Sequence, residues 1–214
     1  MASAKNAAAP TRPKRARTLL AALAVTACAT AIGAGSTDAA AAVPRTSTTV
    51  SGSSTAGDRV LGDLARQKLG DKIAKIAKSK TGSRCFTDQM CSADWCAYFA
   101  RWVWQKAGVP HADVLDGYAY SAVTKYAARY HTLSQTPHVG DLVVWQNSTY
   151  GRHHVNIVVW VSADKRLIRT VGGNEGSMDH RASRVVESPA FDWRKGRNGG
   201  VDHVYKGFVR PVGA

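Results

Sequence analysis

Apolar positions along the chain recur at helical spacing up to about residue 130 and at alternate positions beyond residue 140. From Asp58 to Lys80 they form two stripes, first Val60, Leu61, Leu64 and Ala65, then Ile73, Ile76 and Ala77. Gly70 between them predicts a break, with Asp71 as the cap of the second piece. Lys72, Lys75, Lys78 and Lys80 fall between the apolar positions and read as a solvated face. A second helix is predicted from Asp94 to Val109. Phe99, Ala100, Val103, Trp104 and Ala107 share one face, Asp94 is placed as the N-cap and Gly108 as the stop. A third pattern runs from about Tyr118 to Tyr130. Tyr118, Ala122, Tyr126 and Ala127 either all face the core, or Tyr118 and Tyr120 line a groove. The period then changes. Asp141 to Asn147, His153 to Val161 and Arg166 to Val171 read as strands, and Arg184 to Glu187 and Gly207 to Val212 as shorter ones. Short connections predict antiparallel neighbours, so the expected class is α+β, with N-terminal helices packed on a C-terminal antiparallel sheet.

The first 42 residues do not follow either period. Lys14, Arg15 and Arg17 precede an apolar, small-residue stretch from Leu19 to Gly35, and Ala39 to Ala42 offer small residues for cleavage. This reads as an export signal over residues 1–42, followed by a Ser/Thr-rich linker over 43–57 and one domain over 58–214. Val25 to Cys28 also resembles a lipoprotein cleavage box, but the apolar run continues past Cys28, which favours cleavage near Ala42. Export changes the meaning of the cysteines. Without Cys28 the mature chain keeps Cys85, Cys91 and Cys96, an odd number that suggests one disulfide and one free thiol in an oxidising compartment. Cys85 and Cys91 bracket a short polar loop and are the favoured pair. The alternatives, Cys91–Cys96 and Cys85–Cys96, would consume the thiol at the helix start.

The formal charge of the 214 residues is +14. The signal carries five basic residues against Asp38, so about +10 remains on the mature chain. On an exported protein this favours anionic surfaces such as a wall with phosphate-rich polymers. The basic residues are scattered, with no recognition helix, zinc finger or stacking platform, so no nucleic acid is expected as a partner. No stable membrane association is expected after signal cleavage, and a monomer is expected.

Cys96 falls in the first turn of its helix, where free N–H groups and the helix dipole favour a thiolate. A thiol nucleophile needs a base and a group that orients the base. Of seven histidines, His153 and His154 lie inside a strand. Val155, Ile157, Val159 and Val161 form one row with His153, and His154, Asn156, Val158 and Trp160 form the other. If the Cys96 helix packs on the second row, His154 approaches the thiol, and Asn174, at the end of the next strand, can accept its second ring N–H. Adjacent strand residues diverge and no HExxH or paired CxxC spacing exists, so neither a metal site nor a cofactor is expected.

The order of these pieces resembles the CHAP family (cysteine, histidine-dependent amidohydrolase/peptidase), papain-like wall hydrolases related to the NlpC type. The matching segments are Lys72 to Gly82, Trp95-Cys96 to Val109, Val139 to Trp145, His154 to Val159, and Thr170 to Asn174. The resemblance implies a papain-like fold and a secreted hydrolase of peptidoglycan amides. It makes Cys96 the nucleophile, His154 the general base and acid, and Asn174 the group that positions His154. The family often has a glutamate two positions before that asparagine, where this chain has Gly172. Asn174 must then serve, or Glu175 must reach in from the next position. Asn156 stands where relatives often carry glycine, which places it, with Trp95, among candidate substrate contacts. Gln89 is a candidate side-chain donor to an oxyanion, alongside the backbone N–H of Cys96. A wall-binding module without catalysis, or an amidase with a non-wall substrate, are the alternatives on the same scaffold.

Overall fold

The computed structural model describes residues 56–147, 151–197 and 203–213. The signal, Cys28 and nearly all of the linker lie outside the described residues. Helix α1 (Ala56–Lys78) is followed by a short α2 (Asp88–Cys91) and by α3 (Cys96–Ala107). A π-helical stretch, Ala122–Ala127, runs into α4 (Ala128–Tyr130). The strands are β1 (Leu133–Ser134), β2 (Leu142–Gln146), β3 (His153–Val161), β4 (Leu167–Glu175), β5 (Arg184–Glu187), β6 (Phe191–Asp192) and β7 (Val204–Val209). They form one antiparallel sheet in the order β1-β7-β2-β3-β4-β5, with β6 on β4. The α+β arrangement read from the period change is the one observed. The meander holds from β2 to β5, whereas β7 returns from the end of the chain to lie between β1 and β2.

Helices α1 and α3 pack on one face of the sheet, against β3 and β4. Phe99, Ala100, Val103 and Trp104 of α3 meet Val155, Ile157 and Val159 of β3 and Val171 of β4 in the larger core. The helix thus lies on the row that carries His153, not on the His154 row. Val158 instead points to the opposite face, where Val143, Trp145, Ile168 and Phe208 form a second apolar cluster with Phe191, Trp193 and Tyr205. Both rows needed an apolar cover, and the longer aliphatic one took the helices.

The expected break at Gly70 does not occur. Helix α1 runs through it because Gly70 is where the helix crosses the turn before β2. A Cβ there would come within 2.3 Å of the Val139 carbonyl oxygen, and one on Gly140, at φ +93°, within 2.7 Å of Gly70 Cα. Glycine is present for close approach, not for a bend. Only the C-terminal half of α1 is buried, through Ile73, Ala74 and Ala77; Val60, Leu61 and Leu64 remain exposed. The third helical segment starts later than its pattern suggested, after Ser121, so Tyr126, Ala122 and Ala127 are buried while Tyr118 is exposed. Strand β7 lies three residues earlier than expected, Pro211 being unable to continue a ladder.

Replacing Gly70 by Ala places a methyl group on the Val139 carbonyl. A destabilisation of about 1–3 kcal/mol is expected in urea unfolding, although alanine is the better helix former. A stabilised variant would show that the crossing is loose.

Candidate active site

Helix α3 begins at Cys96, with Trp95 in the N-cap position and no side-chain cap. Asp94 does not serve as the cap; its carboxylate accepts a hydrogen bond from Asn174 Nδ2 at 3.2 Å. Gly108 ends the helix in the left-handed conformation, as its position suggested. The disulfide joins Cys85 to Cys91 and leaves Cys96 free and buried. Its backbone N–H, in the first turn, has no intrahelical acceptor.

The first turn of α3 lies directly on β4 because Gly173 has no side chain. A Cβ there would meet the Trp95 ring at 2.4 Å and Phe99 Cβ at 2.7 Å. This close approach brings Cys96 to the end of β3, where its thiol hydrogen-bonds the His154 ring. His154 Nε2–H donates to Glu175 Oε1 at 2.8 Å, which leaves Nδ1 for the sulfur. The same carboxylate oxygen accepts from Asn156 Nδ2 at 2.8 Å, and Asn156 is itself held by Trp145, whose Nε1–H donates to Asn156 Oδ1 at 2.9 Å. The other carboxylate oxygen, Oε2, pairs with Arg197 Nη2.

Glu175, not Asn174, therefore stands against His154. The reason is a change of phase in β4. Regular alternation would put residues 172 and 174 on the face of Asn156. Asn174 instead takes a left-handed conformation, at φ +61°, and the register with β5 shifts between Gly172 and Glu175. The extra residue moves Glu175 onto the face that Asn174 would have had. Asn174 turns outward, donating to Asp94 and accepting from Ser183 Oγ at 2.8 Å. The bare α-carbon of Gly172 makes room for this exchange. A Cβ at 172 would lie 1.9 Å from Asn156 Nδ2 and 2.6 Å from Glu175 Oε1.

Two other expectations change. Trp95 is fully buried beneath Gly173, and its Nε1–H donates to the His180 carbonyl at 2.8 Å and to Ser183 Oγ at 3.1 Å. It anchors the loop after β4 and does not face the cleft. Asn156 is equally buried, so it holds the Glu175 carboxylate and does not face a substrate. Gln89 is exposed on α2 and does not line the cleft. Arg197 had no signal in the sequence: it lies 22 residues after Glu175, outside any periodic segment.

The charges favour a particular protonation pattern. Burial alone would lower the His154 titration, but the Glu175 carboxylate and the Cys96 sulfur outweigh it and push the ring up to about 9. Burial would likewise raise Glu175, yet His154 and Arg197 hold it well below the usual carboxylate range. At neutral pH the ring is an imidazolium between an anionic carboxylate and the sulfur, the pattern that supports a thiolate. Cys96 and His154 open onto a cleft of about 300 Å³, whose rim includes Asp94, Arg152, His153 and Met178. A helix-start thiol, an imidazole on it and a carboxylate on the imidazole form a constellation able to run acyl transfer.

The constellation is of the kind that cysteine-dependent acyl transfer uses. Residues 88–174 match the family model described as the CHAP domain, which suggests amidohydrolase/peptidase activity. Comparison with curated proteins and with solved structures returns no match. The matched segment includes Cys96 and His154 and stops one residue before Glu175. Among the described residues no cluster of histidine, cysteine and carboxylate suited to a metal ion occurs.

Replacing Glu175 by Gln keeps the shape but leaves the Arg197 cation beside an uncompensated ring. In a hydrolysis assay the alkaline limb of kcat/KM, expected near pH 9 in the wild type, should move down by about 1–2 units, and kcat/KM at neutral pH should fall by roughly 10²–10⁴-fold. An unchanged limb would remove Glu175 from the site. Stability follows the same pair. The folded ring titrates near 9 and an unfolded one near ~6.5. The contribution of His154 is therefore full below ~6.5 and lost as pH rises through about 9. Glu175, held low, contributes above the ordinary carboxylate range and loses that contribution as the pH falls.

Proposed function

We propose that the chain is an exported cysteine amidase or endopeptidase that hydrolyses amide bonds in bacterial peptidoglycan. The observation that carries this reading is the hydrogen-bonded series from Cys96 through His154 to Glu175, at the mouth of a cleft within a CHAP domain. Residues 1–42 act as the export signal and 43–57 as a linker, and the domain works extracellularly as a monomer on the wall. The positive charge of the mature chain holds it on anionic wall polymers. The disulfide between Cys85 and Cys91 suits an oxidising compartment and spares the reactive thiol.

The reaction follows from the positions of the groups. The Cys96 thiolate adds to the scissile carbonyl carbon, and the oxygen takes the negative charge next to the Cys96 backbone N–H. His154, as imidazolium, gives its proton to the amide nitrogen, the C–N bond breaks, and the amine leaves. A thioester remains on Cys96. Neutral His154 then removes a proton from water, the hydroxide adds to the thioester carbonyl, and the C–S bond breaks to release a carboxylic acid, which gives its proton to solvent. The ring is again an imidazolium and Cys96 again a thiolate. Through both steps Glu175 and Asn156 keep the ring in one orientation and one tautomer, and Arg197 keeps the carboxylate charged.

Purified wall is incubated with the mature protein and with Cys96→Ala, and new amino termini are counted. Release by the wild type at a rate at least ~10³-fold above the variant is expected. No release by either protein, with both still sedimenting with the wall, would replace the hydrolase by a binding module.

A further inference from the structure

The catalytic groups leave a charge imbalance around them that selects among amides. Cys96, His154, Glu175 and Arg197 form a connected series of sulfur, imidazole, carboxylate and guanidinium, in which each charged group has a partner. Two other charges on the cleft do not belong to it. Arg152 is exposed on the rim, and among the described residues no carboxylate pairs with its guanidinium. Asp94 is exposed on the same cleft, and among the described residues its carboxylate accepts from the neutral amide of Asn174 and pairs with no cation. Each stands two residues before a reactive group, Arg152 before His154 and Asp94 before Cys96. Arg152 lies immediately before β3, two residues ahead of the base, and lines the same cleft. His153, between them, is occupied: its ring stacks on Tyr120 at 4.4 Å, and its Nδ1 hydrogen-bonds the Tyr118 hydroxyl at 2.9 Å.

We propose that Arg152 is a carboxylate-anchoring residue, and that the peptides cut here carry a free carboxylate within about one residue of the scissile amide. A guanidinium presents paired N–H donors that match a carboxylate, and with no carboxylate partner among the described residues it offers them to the substrate. Asp94 sets the direction. A carboxylate placed at the thiol end of the cleft would meet a like charge, so the anionic side of the substrate lies toward Arg152. The stem peptides of peptidoglycan supply such a group where their side carboxylates are not amidated. The inference rests on the wall-hydrolase reading and adds to it a preference for unamidated stems.

The test uses purified wall in two forms, one with its stem carboxylates free and one with them converted to carboxamides by carbodiimide and ammonia. Wild type, Arg152→Gln and Arg152→Lys are compared by the initial rate at which new amino termini appear, and the value read is the ratio of the free to the amidated wall. That ratio is internal to each protein, so a change in overall activity cancels; circular dichroism confirms that the variants are folded. A ratio of about ten is expected for the wild type, near one for Arg152→Gln, and an intermediate value for Arg152→Lys. Bulk attraction of the basic protein to the more anionic wall acts on all three proteins and sets the floor that Arg152→Gln reports. A wild-type ratio near one, or an unaltered ratio in Arg152→Gln, overturns the anchoring role and leaves the hydrolase standing. Absence of release by the wild type from either wall overturns both.

Discussion

The arrangement depends on a single buried carboxylate. Glu175 has two oxygens and three donors: His154 and Asn156 share one oxygen and Arg197 holds the other. An isolated carboxylate at this depth would protonate and lose its grip on the ring. Two cations and an amide hydrogen bond keep it charged, and its charge in turn keeps His154 protonated beside the sulfur. Trp145 extends the set by fixing Asn156 from the second apolar cluster, so the orientation of the catalytic ring is tied to the packing on the far side of the sheet.

Space for this set comes from two adjacent glycines that serve opposite faces of β4. Gly173 admits Trp95 and Phe99, which lets the first turn of α3 descend until Cys96 meets His154. Gly172 leaves room for Asn156 and Glu175 on the other side. Position 172 carries no carboxylate, and a left-handed Asn174 brings in that of Glu175 from the end of the same strand. The Glu175 carboxylate thereby reaches the His154 ring. Asn174 keeps a place in the site as the bulge residue, which also ties β4 to Asp94 at the helix start.

The cleft is consequently polar and directional. It is lined by Asp94 and Arg152 beside Cys96, His154 and Glu175, and among the described residues no carboxylate pairs with Arg152. The buried aromatic residues serve the fold instead. Trp95, Trp104 and Trp145 each spend their indole N–H on an internal acceptor: His180 and Ser183, Gly140, and Asn156.

The sequence by itself determined the class of fold, because the change from a 3.6-residue to a two-residue period is a local property of the chain. It also determined that Cys96 opens a helix, that β3 spans His153 to Val161, and that His154 shares a face with Asn156. Each rests on neighbours within a few positions. Tertiary structure alone decided which row of β3 the helices cover, that Gly70 marks a crossing and not a break, and that Trp95 is buried. These depend on what lies across the core, which no local period encodes. The third member of the site lay on that boundary. Gly-Gly-Asn-Glu is legible as a place where a strand loses its regular phase, but whether Asn174 or Glu175 turns inward depends on one left-handed φ. Packing of Asn156 against one glycine and Trp95 against the other favours that conformation, and Arg197 arrives from a segment too distant for any spacing to announce.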